Sequence, residues 1–213
     1  TWKLEPELMR KLNQTYGPTS YDDPNHHDPL DWRCADSHAI YWAVRGLELG
    51  SKEEFNVSET NTDRIVAHSL QSLFRNGKLY IHKSVDPNTE ALNYSVYLRS
   101  DLRMFDSYNK STLDIIEKYK EIEDAKKGTY HSLQIGHRNM LTNAAFSFYQ
   151  SGHKKKALQI FNQLRKLYPG ERFDMSLAQF MKKRLKEELS SIGLNDALEM
   201  VQMLLIESVF RYA

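Results

Sequence analysis

The residues best equipped for chemistry sit in one short run, Tyr21-Asp22-Asp23-Pro24-Asn25-His26-His27-Asp28-Pro29. Imidazole nitrogens beside carboxylate oxygens are the donor set of a zinc- or nickel-type site, so His26, His27 and Asp28 are the candidate metal ligands. The competing reading is a polar surface loop, because Asn, Asp and Pro are also what tight turns require. Adjacent histidines diverge on most backbones, and no third histidine follows at a helical spacing. A few residues on, Cys34 and His38 stand four apart, the pairing a thiol nucleophile needs, and a thiolate is favoured near a helix N-terminus. No glycine-rich oxyanion element accompanies them, and Cys34 reads equally as a small buried hydrophobe. Asp36 and Ser37 read as helix caps, and Trp32 with Arg33 as a clamp pinning the N-terminal loop onto the first helix. No catalytic residue and no cofactor is assigned on these grounds.

Two cationic clusters stand apart from this run, Lys154-Lys155-Lys156 and Lys182-Lys183-Arg184 with Lys186. Each reads as a solvated helix face or as the rim of a groove that takes an acidic peptide. In the groove reading Lys154, Lys155 and Lys156 bind together with the aromatic residues Phe148 and Tyr149.

Composition narrows the partners. The 213 residues carry 29 basic and 28 acidic side chains, a net charge of +1. Nucleic-acid modules need a basic excess to neutralise phosphate, so no nucleic-acid partner is expected. Hydrophobic residues make up 40% of the chain, enough for a core, while the mean hydropathy of −0.63 and the short apolar runs argue against membrane insertion. A single cysteine rules out a disulfide within the chain and a cysteine-rich zinc site. The compartment stays open between cytoplasmic and processed extracytoplasmic. The start at Thr1 and a final apolar helix without a stop signal lead us to expect a longer natural polypeptide. Four Asn-x-Ser/Thr triplets, at Asn13, Asn56, Asn93 and Asn109, carry little weight.

The elements that must position these residues follow from periodicity. Leu4, Leu8, Met9 and Leu12 mark an N-terminal helix ended by Gly17-Pro18, followed by loop to Pro29. Residues 36–76 read as a helical pair: one helix from Asp36 or Ser37 to Gly50, with Ile40, Trp42, Ala43, Val44 and Leu47 as its apolar positions, and another from about Thr62 to Arg75. Alternation at Leu79, Ile81, Leu92, Tyr94, Val96 and Leu98 around Asp86-Pro87-Asn88 predicts a β-hairpin over 78–98. Residues 107–213 return to helical period, with helices ending near 125, at 132–151, 153–168 and 174–191, and a last one from about 195. The whole is expected to be one mostly α domain.

The stretch from Leu141 to Pro169 resembles one tetratricopeptide repeat. Ala144 and Ala145 allow close helix approach, Gly152 permits the tight turn, and Ala157 sits where two helices cross. Phe161 and Leu164 fill the layer between helices, and Pro169 ends the second. A poorer second repeat spans about 174–204, where Ala197 follows Ala157 by 40 residues instead of the family's 34. The resemblance implies antiparallel helical hairpins stacked as a superhelical array, with a groove that binds a protein or peptide segment and no catalytic residues. The expected function is therefore a protein-interaction or scaffold domain. The alternative is a metal-dependent hydrolase, or another helical enzyme, using the 21–38 His/Asp/Cys region.

Overall fold

The computed structural model describes residues 3–20, 23–50, 57–86, 89–120 and 128–191, with residues 193, 198, 201, 205, 208 and 209 beyond them. The expected last helix therefore falls largely outside the described residues. Those described form seven α-helices and one antiparallel hairpin: α1 Pro6–Tyr16, α2 Ala35–Gly50, α3 Val57–Asn76, β1 Lys78–Val85, β2 Leu92–Arg99, α4 Phe105–Lys120, α5 Thr129–Gln150, α6 Lys154–Leu167 and α7 Leu177–Ser191. Short 3₁₀ turns precede α4 at Leu102–Met104 and α7 at Glu171–Phe173. The protein is mostly helical, as its periodicity predicts. Among the described residues no helix is long and apolar enough to cross a membrane.

The chain divides into two compact units, Thr1–Met140 and Leu141–Ala213, where the sequence reads as one domain. The boundary falls inside α5. An uninterrupted helix carries no compositional break, so nothing in the sequence marks it.

In the first unit, α1 starts with Pro6 at its first turn, where a missing N–H costs nothing, and buries Leu8 and Leu12. Its start is tied to α2: Glu5 N–H donates to Tyr41 Oη at 3.0 Å, and Arg45 and Lys11 pair with Glu5 and Glu48. α2 begins at Ala35, so Asp36 and Ser37 lie inside the helix and do not cap it. The Asp36 carboxylate instead accepts from Ser72 on α3 at 2.8 Å, and Ser37 donates to Asp31 O at 2.8 Å. Trp42, expected on the apolar face, is 48% exposed with its ring edge-on to Tyr41, while Ile40 and Tyr41 are buried. Successive helix residues turn by about 100°, so Ile40 and Tyr41 can share the buried side while Trp42, about 200° from Ile40, falls outside it.

α3 starts at Val57, five residues ahead of the expected Thr62. Its first turns are polar and hide the helical period, yet Thr60 and Asp63 are buried, and Glu59 and Asp63 both pair with Lys118 on α4. Below them Ala67, Ile115, Ile116, Tyr119 and Leu133 pack together, and Phe74 meets Phe105 and Tyr108 with ring centroids 6.4 and 6.3 Å apart. The hairpin pairs eight residues in each strand, from Lys78 with Arg99 to Val85 with Leu92.

In the second unit, α5 and α6 are joined by only Ser151, Gly152 and His153. His153 N–H donates to Phe148 O and Gly152 N–H to Tyr149 O, at 2.9 and 3.1 Å. This is the paired bonding of a Schellman ending, which needs a left-handed residue after the cap, and Gly152 supplies it at φ +80°. The ring of His153 packs edge-on to Phe148, completing the motif's side-chain contact. Ala144, Ala145, Ala157 and Leu164 are fully buried, and Phe161 nearly so. α7 packs on α6 through Phe161 and Phe180, 4.8 Å between ring centroids, and on α5 through Arg184, which donates to Asn143 at 3.2 Å.

Candidate functional site

Between α1 and α2, the described residues 17–20 and 23–34 are tied to one another and to α4 by hydrogen bonds. Gly17 closes α1 by donating to Asn13 O at 2.9 Å, and a Cβ at this position would stand 2.1 Å from Asp28 O. Glycine is required by that close approach. Thr19 and His27 form an antiparallel bridge, with Ser20 N–H on His26 O and Asp28 N–H on Pro18 O. His27 Nδ1 lies 2.7 Å from Gly17 O, and a carbonyl only accepts, so Nδ1 carries the proton. Ser107 of α4 donates to the same carbonyl at 2.7 Å. Asp28 accepts from Arg103 at 2.7 Å, and the rest of that guanidinium grips both oxygens of Asp101 at 2.9 and 2.7 Å. The Arg103 and Asp101 side chains are only 20% and 7% exposed, so these charges are held in a largely dry place.

Metal binding by His26, His27 and Asp28 is not supported by this geometry. Among the described residues no group of three His, Cys, Asp or Glu side chains is placed to hold a metal ion. His27 and Asp28 spend their inward atoms on Gly17 and Arg103, and His26 is exposed. Adjacent residues on an extended segment face opposite ways.

The Cys34 and His38 pair is arranged no better for nucleophilic work. Burial first, then the negative charges of Asp31 and Asp36, push the Cys34 thiol above its ordinary pKa, the reverse of activation. His38 Nε2 donates to Trp32 O at 2.8 Å. Trp32 does clamp: its indole N–H donates to Asn13 Oδ1 on α1 at 3.1 Å, and its ring packs edge-on to His38 and Tyr41 on α2. Leu30 N–H shares the Asn13 oxygen at 3.1 Å. Arg33 folds back on Asp31, donating at 2.8 and 2.6 Å and holding that carboxyl below its usual range.

A cleft of about 340 Å³ opens beside these residues. Pro18, Leu30, Leu73 and Met104 form its apolar part, and its two guanidinium groups, Arg33 and Arg103, are each committed to an aspartate. No family model, no curated protein and no solved structure matches this chain. The site must therefore be judged on its own geometry, and in the first unit that geometry is structural.

The second unit carries both cationic clusters. Lys154 and Lys155 are exposed and Lys156 half-buried, all in the first turn of α6, whose cap His153 makes no side-chain capping bond. Cations at a helix N-terminus oppose the macrodipole, at roughly 0.3–1 kcal/mol each. Phe148 is not available beside them: it is 7% exposed, under His153, while Tyr149 is half-buried. Along α7 runs a groove of about 500 Å³ lined, among the described residues, by Gln179, Lys182, Lys183, Lys186, Glu187 and Ser190. Lysine stems can wall such a groove while their ammonium heads stay in water. Arg184 belongs to the fold, held by Asn143 and Glu188.

Sequence reasoning missed the buried polar pairs: Asp101 with Arg103, Asp63 with Lys118 and Tyr119, and His137 with Asn109. Only Asp101 and Arg103 had a local signal, an aspartate two residues before an arginine just past a strand. The others join residues 28 to 56 apart.

Proposed function

We propose that this chain is a protein-interaction module whose second unit is tetratricopeptide-like and takes an acidic protein segment against its lysine-bearing helices. The observation that carries the reading is the lysine triplet at the start of α6. Lys154 and Lys155 are exposed cations in that first turn and oppose the helix dipole, so helix stability gives no reason for these two. The groove along α7 adds Lys182, Lys183 and Lys186, with Leu185 and Leu189 exposed on the same helix to meet apolar side chains of a ligand. The repeat reading draws support from the Schellman turn at Gly152, the buried small residues Ala144, Ala145 and Ala157, and α7 lying on both helices of the hairpin.

The test is fluorescence anisotropy with a labelled peptide of alternating Glu and Leu, about ten residues long, at two salt concentrations. Binding to the wild type should weaken as salt rises. Replacing Lys154, Lys155 and Lys156 with Gln, or Lys182, Lys183 and Lys186 with Gln, should slow association without lowering the melting temperature. No binding at low salt, or binding that ignores both triple variants, would refute the proposal.

A further inference from the structure

We draw no further inference here: the strongest candidate, the exposed aliphatic face of the β-hairpin around Ile81, Val96 and Leu98, carries nothing because nothing in the structure shows what covers it.

Discussion

His137 Nε2 on α5 lies 2.9 Å from Asn109 Oδ1 on α4, with the imidazole fully buried. An amide oxygen only accepts, so Nε2 carries a proton, and burial lowers the pKa to about 4, keeping the ring neutral. The bond also occupies the side chain of Asn109, as Leu30 and Trp32 occupy that of Asn13, so two of the four Asn-x-Ser/Thr triplets hold the fold together.

The pH dependence follows directly. In the unfolded chain His137 takes a proton below its ordinary pKa of 6.5, whereas the folded protein resists protonation until about 4. Stability should be intact above pH 6.5 and fall as pH drops toward 4, by about 2 kcal/mol at pH 5 and about 3 kcal/mol in all. Urea titrations at pH 7 and pH 5 measure the difference, and H137Q should flatten it. A wild-type midpoint that does not move between those pH values would contradict the assignment.

Asp63 is the hub of the contact between α3 and α4. It accepts from Tyr119 Oη at 2.6 Å and Lys118 Nζ at 2.8 Å. Burial would lower the Lys118 pKa, but hydrogen bonds to Asp63 and Glu59 outweigh it and hold the pKa above its ordinary value. Burial and the Asp63 bond push Tyr119 up to about 12. D63A should cost about 2–4 kcal/mol by stranding both partners, and D63N less, since its oxygen still receives the tyrosine proton. Denaturant unfolding separates the two.

Arg103 neutralises Asp28 and Asp101 together, so R103M should destabilise the first unit by about 2–4 kcal/mol, seen as a lower melting temperature. H26A should leave that temperature unchanged. Addition of a chelator should also have no effect on the wild type, because no metal-ligand set is assembled among the described residues.

The second unit offers a pair of contrasting changes. A157L forces a larger side chain into a fully buried contact and should cost about 1–3 kcal/mol. At Gly152 nothing lies near an added Cβ, so G152A pays only for the left-handed backbone, about 1 kcal/mol, and G152N should recover part of it. Equal losses for alanine and asparagine at that position would argue against the Schellman turn.

Alkylation of Cys34 by iodoacetamide should be slower than that of free cysteine at the same pH and should rise only in alkaline solution, because the thiol pKa is raised. Mass spectrometry over time reads the rate.

What the sequence alone determined is what short-range periodicity encodes. Leu8 and Leu12 one turn apart, the alternation around Ile81 and Val96, and Gly152 between two amphipathic runs are local patterns, and the helices and hairpin they announce are present. Local patterns cannot say which polar residue meets which. Asp28 and Arg103 are 75 residues apart, and only the packing of Gly17 and Asp28 against the start of α4 turns a metal-like His/Asp run into one side of an ion pair. The early start of α3 was invisible for the same reason, since Asp63 can be buried on a helix only when Lys118 and Tyr119 arrive from α4. Burial was likewise a tertiary outcome: Phe148 and Trp42 carry the same aromatic signal in sequence, yet one is covered by the turn it helps to close and the other is left half open to solvent. Desolvation costs are settled by neighbours distant in sequence, so the chemistry of a side chain is decided where the chain brings those neighbours together.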